Sequence, residues 1–218
     1  MGLSTTNVVQ GQDFRDISST KEMMLGAYAE TANGRGYRYC LAGAVDLDPG
    51  KMTTNPAVDS NVSDVNVAVT AAAGATEVVI DAGGVIALDA YVDGTIAISD
   101  ATGEGVEYSV RGNTATSGAA EMTVYLNDPL EVGVTVDASQ VTLLKSPWGG
   151  NIIVPATDQA DFPAGVPNVT ITAAYYGWLQ TKGVCAVWAD EAFARGAPLT
   201  FGTGTAGQVE AVDAAGEV

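Results

Sequence analysis

Gly202, Gly204 and Gly207 are spaced as G-x-G-x-x-G behind a plausible strand, the pattern of a loop that cradles a dinucleotide pyrophosphate. That chemistry needs a helix next, then a second strand bearing an acid roughly 20 residues on. Only 11 residues follow Gly207, and they include Val209 and Val212, poor helix formers, so the glycines read as a turn. The chain has no histidine, which closes off Ser-His-Asp, Cys-His and most zinc chemistry together. Carboxylate pairs remain, Glu104 with Glu107 and Asp190 with Glu191, but among 26 acidic residues such neighbours arise by chance. A glycosidase would also need its two acids placed on separate strands across a cleft. The loop from Asp100 to Glu107 offers oxygen ligands without the spacing of a calcium loop and reads as a solvated hairpin. Cys40 and Cys185 read as two small hydrophobes inside strands that stay thiols, with a single disulfide as the other option. Asn61 and Asn168 fit the glycosylation pattern, which carries no weight without a secretory signal. The residues therefore point to no enzyme, no catalytic, cofactor-binding or metal-binding side chain, and no cofactor.

The elements that would position these residues read as strands. The aromatic-rich residues 175–188 hold two of the three tryptophans, and Tyr176, Trp178 and Trp188 are expected in the core because each buries more area than several alanines. Thr181, Lys182 and Gly183 read as a hairpin turn within that stretch. Asn33-Gly34 is a strong hairpin signal, with Tyr37, Tyr39 and Leu41 on one face of the returning strand and Arg38 and Cys40 on the other. Val65, Val67 and Val69 alternate with polar or small residues, as do Val106, Tyr108 and Val110, then Met122, Val124 and Leu126, then Val132, Val134 and Val136. Val85 to Leu88 and Tyr91-Val92 read as further strands, and Asp190 to Gly196 as a single helical turn. Turn signals every eight to twelve residues predict an all-β chain of β-barrel or β-sandwich lobes, with short hairpins and little helix. The expected division is an extended arm over 1–20, a hairpin unit over 21–52, a linker over 53–63, a central β domain over 64–172 and a C-terminal β unit over 173–218. The last of these could pack with 21–52 as one lobe.

The formal charge of −17 is unevenly spread. Residues 1–51 hold five basic and six acidic residues, whereas the rest hold four basic and 20 acidic. So acidic a surface repels nucleic acid and anionic lipid, and neither is expected as a partner. The opening residues lack the basic and apolar regions of a signal peptide, and the most apolar stretch, 65–92, is broken by Glu77, Asp81 and Asp89. The chain is expected to be soluble. The near-neutral opening segment, with Arg15, Arg35, Tyr37, Arg38 and Tyr39, is where a protein partner is expected to bind.

Several segments in order resemble the capsid decoration, or cement, proteins of tailed bacteriophages. Leu25-Gly26-Ala27, Asn33-Gly34, then Tyr37-Arg38-Tyr39 and Ala42-Gly43-Ala44 are similar to a phage-protein opening of strand, turn, strand and small-residue turn. Tyr91 to Thr95, Gly103 to Gly105 and Tyr108 to Asn113 follow, and then Tyr176 to Gly183 with its Trp178 and Leu179. The resemblance implies a virion protein on the outside of an icosahedral capsid, assembled in the host cytoplasm. Its partners would be the major capsid protein and further copies of itself, as a dimer or trimer, and Arg15, Arg35, Tyr37, Arg38 and Tyr39 would make the capsid contact. Two other readings stand beside it. One is a carbohydrate-binding β module or carboxylate glycosidase using Trp148 and Tyr175; the other is a tail-tube or baseplate component.

Overall fold

A computed structural model describes residues 13–156 and 162–212. Most of the N-terminal arm, residues 1–12, therefore lies outside the described residues. Among the described residues the chain is nearly all β, with sixteen strands and one 3-10 turn at Ser60–Val62. In chain order, β1 (Tyr28–Glu30), β2 (Gly36–Ala42) and β3 (Thr53–Thr54) come first. Then follow β4 (Val65–Val69), β5 (Glu77–Ala82), β6 (Val85–Ile86), β7 (Thr95–Asp100), β8 (Glu107–Asn113), β9 (Thr116–Ser117), β10 (Ala120–Leu126) and β11 (Gln140–Leu144). The last are β12 (Gly149–Ile153), β13 (Pro163–Pro167), β14 (Tyr176–Lys182), β15 (Leu199–Phe201) and β16 (Val209–Ala211). No helix among the described residues is long and apolar enough to cross a membrane.

The chain divides into two compact units, one made of Met1–Pro56 with Pro147–Val218 and the other of Ala57–Ser146. The central unit thus ends at Ser146 rather than at 172, because β12 and β13 pair with β2, β3 and β14. Thr53 and Thr54, expected in a linker, form β3 and are fully buried.

The second unit is a closed barrel with strand order β10-β5-β4-β11-β7-β8, every pair antiparallel. Alternation builds it: Val78, Ile80 and Ala82 face inward while Glu77 and Asp81 face water, and Tyr108 and Val110 point in while Glu107, Ser109 and Arg111 point out. Met122, Val124 and Leu126 fill the same core. Three sequence expectations fail at irregularities. A register shift between Val67 and Val69 turns Val69 outward. Of Val132, Val134 and Val136 only Val134 is buried, held by a bridge to Ala71 rather than in a strand. Tyr91 is buried, yet lies in a turn whose Tyr91 N–H donates to Asn113 Oδ1 at 3.0 Å. Asn113 Nδ2 in turn donates to the carbonyls of Ala87 and Thr114, so this buried amide is satisfied and fixes the loop that precedes β7.

The first unit runs β1-β2-β12-β3-β13-β14, and β14 also pairs with β2, so β2, β12, β3, β13 and β14 form a ring. The longest pairing sets Trp178 opposite Tyr39 and Leu179 opposite Arg38. Two apolar clusters result. Cys40, Ala42, Leu47, Ala164, Ile171 and Leu179 form one. Tyr37, Tyr39 and Trp178 form the other, with Phe14, Met23, Leu25, Ala27, Ala29 and Tyr176 packed against them. Buried polar side chains help close the ring: Thr53 Oγ1 donates to the Gly165 carbonyl at 2.7 Å, Thr54 Oγ1 to Phe162 at 3.0 Å, and Asn151 Nδ2 to Thr54 and Pro147.

β14 does not turn back as a hairpin. After Lys182 the chain bends at Gly183 and runs irregularly past Cys185, which is therefore not in a strand, to Trp188. No helical turn forms over 190–196. Trp188, expected in the core, is 56% exposed: its backbone bridges Gly50 and Val209, leaving the indole outside either cluster.

Candidate partner-binding surface

The N-terminal hairpin is built around its turn. The Thr31 N–H donates to the Arg35 carbonyl at 2.9 Å, the Arg35 N–H donates to Thr31 Oγ1 at 3.2 Å, and Thr31 Oγ1 lies 2.6 Å from Asn33 Oδ1. Only Gly34 of the Asn-Gly pair takes the left-handed region, at φ +81°, which favours glycine there. Glu30 then pairs with Gly36, and an added Cβ at Gly36 would meet the Tyr28 hydroxyl. That hydroxyl donates to Glu30 Oε2 at 2.7 Å while Lys182 Nζ sits 3.1 Å from Glu30 Oε1, which joins the hairpin to the end of β14. The two donors hold the Glu30 carboxyl below its usual range, and the same contacts raise Tyr28 and Lys182.

The expected contact residues separate into two sets. Tyr37 and Tyr39 are 1% and 2% exposed, so neither presents itself to a partner. Their face of β2 is covered by residues 14–29, with the Phe14 ring stacked on Tyr37 at 5.0 Å and Tyr176 stacked on Tyr39 at 5.8 Å. Burial raises the Tyr39 phenol. Arg38 is also committed to the fold: Nη1 donates to the Gly26 carbonyl at 2.7 Å, and the guanidinium lies 5.1 Å from the Tyr28 ring and 5.0 Å from the Trp148 ring. Gly26 makes that arrangement possible, since an added Cβ would fall 2.6 Å from Trp148 Cε3. Arg15 and Arg35 remain available. Arg15 is exposed with its guanidinium 4.7 Å over Phe14, and Arg35 is half-buried at the hairpin turn with no ion pair or side-chain hydrogen bond among the described residues. Val184, 83% exposed, follows Gly183, whose added Cβ would meet Arg35 at 3.4 Å.

Sequence reasoning missed Phe14, although it is the sole aromatic ahead of Tyr28 and stands beside Arg15. It also missed the exposure of Val184, which carries no sequence signal. Of the expected core aromatics, Trp178 is buried and meets Tyr39 edge-on at 5.3 Å, Tyr176 is half-buried, and Trp188 is exposed. Trp188 instead lines an open groove of about 680 Å³ with Pro49, Gly50, Pro167, Asn168 and Ala186.

The glycine-rich loop and the Asp190–Glu191 pair are already engaged within the fold. Gly202 to Gly207 form the loop of the β15–β16 hairpin, followed directly by β16 instead of a helix. Asp190 Oδ2 already accepts from the N–H groups of Gly204 and Thr205 at 2.7 and 3.0 Å, and Glu210 Oε2 accepts from Thr203. Two carboxylates thus sit where a phosphate would need to be, and they would repel it. Glu191 Oε1 accepts from the Ala211 N–H at 3.4 Å. Cys40 and Cys185 are free thiols; burial pushes Cys40 up to about 12 and raises Cys185, where the Arg35 charge opposes the rise. Among the described residues no three acidic or cysteine side chains converge as a metal site. In comparisons with known proteins, the chain matches no family model, no curated protein and no solved structure.

Proposed function

We propose that this chain is a structural virion protein that binds the outside of an icosahedral phage capsid and stabilises it without chemistry of its own. Its partners are then the major capsid protein and further copies of itself. The observation that carries the reading is how charge divides between the units. Ala57–Ser146 holds 13 Asp and Glu against Arg111 and Lys145 alone, while the first unit holds the other seven basic residues against 13 acidic ones. An acidic barrel suits exposure at high local concentration, and the less acidic unit suits contact with another protein. The segments that carry the resemblance also do structural work consistent with it: Gly26 seats Trp148, Asn33-Gly34 makes the turn, and Asn113 anchors the Tyr91 loop.

The test is co-sedimentation of the purified chain with capsids that lack it, followed by heating of the decorated shells. Saturable binding at a fixed ratio to the capsid subunit, with a raised temperature of shell disruption, is the expected result. Absence of binding at saturating protein overturns the reading. Labelling on the tail rather than the head would instead assign the chain to the tail tube or baseplate.

One observation favours the carbohydrate reading, though at a different place from the one the sequence suggested. Trp148 is packed between Gly26 and Arg38, and Tyr175 is 38% exposed, whereas Trp188 presents its indole along the Pro49–Pro167 groove. Retention on polysaccharide that is lost in Trp188→Ala would support that reading.

A further inference from the structure

Beyond β14 the chain bends at Gly183, at φ +85°, and residues 184–190 keep negative φ as they cross the surface to Trp188 and Asp190. Exposure alternates along the first five of them as on a strand: Val184, Ala186 and Trp188 are exposed, while Cys185 and Val187 are half-buried. The backbone alternates too. The Val184 carbonyl accepts from Gln180 Nε2 at 3.0 Å, and the N–H and carbonyl of Trp188 are bonded to Gly50 and Val209. Between them, the N–H and carbonyl groups of Cys185 and Val187 make no hydrogen bond with the described residues. Successive residues of a strand turn these groups to opposite edges, so one edge is tied to the fold and the other is open. Ala186 and Val187 line the open groove beside Trp188, so the segment is reached from solvent. Folded proteins protect such edges with charge or proline. Residues 183–189 carry neither, and Val184 is 83% exposed.

We infer that residues 184–188 are a pairing edge for a second copy of this chain, joined antiparallel about a two-fold axis at Ala186. In that register the sequence is complementary to itself. Val184 of one copy faces Trp188 of the other, so the large exposed apolar side chains of the segment cover each other. Cys185 faces Val187, and their free N–H and carbonyl groups exchange hydrogen bonds on both sides of the axis. Lys182 faces Asp190, and the wider charge agrees. Lys182, with Arg35 beside Gly183, marks one end of the segment, and Asp190 with Glu191 marks the other. An antiparallel copy sets each end against its opposite, whereas a parallel one would set like against like. This matters in a chain of −17, whose copies repel over most of their surface. The inference rests on the proposed function only for copies meeting at all; the register stands on the segment itself.

The experiment is oxidative cross-linking of the full chain at Ala186, in a Cys185→Ser background that removes the neighbouring thiol. In this register the two Ala186 Cα atoms form a close pair about 4.5 Å apart, within disulfide reach. Ala186→Cys should therefore give a disulfide-linked dimer. Val184→Cys, at a more exposed position but about 13 Å from its own counterpart, should not. On concentrating the wild type, tryptophan emission should shift to the blue as Trp188 is covered, and Trp188→Phe should remove the shift. Val184→Asp sets a charge against Trp188 and should weaken dimerisation in sedimentation equilibrium at least about tenfold. Val187→Pro should do the same, because it deletes an N–H that the isolated fold leaves unbonded. If Val187→Pro fails to fold, Val184→Asp, at an exposed position, still decides. No cross-link at Ala186, equal cross-linking at Val184, or an undiminished dimer in Val184→Asp would overturn the inference. Capsid co-sedimentation separates this result from the functional reading. Cross-linking at Ala186 without attachment to capsids sinks the functional reading and supports the edge. Normal decoration with no cross-link on the shell sinks the edge alone. Should Val187→Pro lose decoration while Ala186→Cys fails to cross-link, the edge belongs to the shell subunit and the second copy is wrong.

Discussion

In the second unit most inward residues are Val, Ile, Leu and Met, many of them on alternating positions of antiparallel strands. In the first unit the ring is closed partly by Thr53, Thr54 and Asn151, the aromatics gather in a cluster of their own, and β2 and β12 run parallel. The two also differ in how well their buried polar atoms are served. Among the described residues Ser99 Oγ is the unpaired buried side-chain atom of the second unit, whereas the first has Tyr37 Oη, Trp178 Nε1, Asn151 Oδ1 and Asn168 Oδ1. A barrel with an apolar interior and satisfied loops is complete in itself. The ring relies more on buried polar groups for its closure, and more of those lack a partner among the described residues.

The largest effect expected comes from the first unit's aromatic cluster. Trp178→Ala should destabilise by about 3 to 5 kcal/mol, since a fully buried indole leaves a cavity between Tyr39 and β14's neighbours. Trp188→Ala should cost less than about 1 kcal/mol because its side chain is exposed. Equal losses in denaturant unfolding would break the assignment of one indole to the fold and the other to the surface.

Next comes alkaline pH. Cys40 is held protonated by burial, its folded value pushed up to about 12 against an ordinary 9.0. A raised folded value means the native state binds the proton more tightly, so this stabilisation is complete below about pH 9 and drains away as pH rises towards 12. The loss should be on the order of 4 kcal/mol, and Cys40→Ala should flatten the decline relative to wild type. An unchanged slope in the variant would mean that tyrosines, not Cys40, set the alkaline limit.

Arg38→Ala is expected to cost about 2 kcal/mol, from the lost bond to the Gly26 carbonyl and the two ring contacts. Arg35→Ala should leave stability within about 0.5 kcal/mol, as for a surface position with no partner among the described residues. If the two arginines cost the same, the division between a structural and an available cation is wrong.

The second unit was largely legible in the sequence because one period governs it: Val78, Ile80 and Ala82, or Met122, Val124 and Leu126, declare their inward face by alternation alone. It failed at Val69, where a bulge reverses a face without changing composition, and at Val132 and Val136, which flank a single bridge at Val134 instead of lying in a strand. The first unit was less legible because its pairings span most of the chain: β2 meets β14, and β3 meets β13. No local pattern tells that Thr53 and Thr54 are strand rather than linker. Tyr37 and Tyr39 were placed on one face correctly, but that residues 14–29 cover that face is a tertiary fact. At the candidate site Arg15 and Arg35 were found from charge, while Phe14 was passed over because a lone aromatic in a polar stretch has no period to mark it.

The smallest effect is also the sharpest discriminator between the units. The Tyr37 hydroxyl is buried and unpaired among the described residues, so the isolated protein bears the desolvation cost of that group without a compensating hydrogen bond. Tyr37→Phe removes the oxygen and keeps the ring stacked 5.0 Å from Phe14, so stability should stay level or rise by up to about 1 kcal/mol. The matched control is Tyr91→Phe in the second unit, whose hydroxyl lies 3.4 Å from Asp59 Oδ2 and whose phenol is raised by burial and by that carboxylate. There the substitution removes a hydrogen bond to a charged group and should cost about 1 kcal/mol. Opposite signs in the two variants would show that the first unit carries an unpaired buried hydroxyl at Tyr37 and that the hydroxyl of Tyr91 in the second is paired. A loss in Tyr37→Phe as large as in Tyr91→Phe would mean that Tyr37 is satisfied within the folded chain, and the contrast between the units would then have to rest on charge alone.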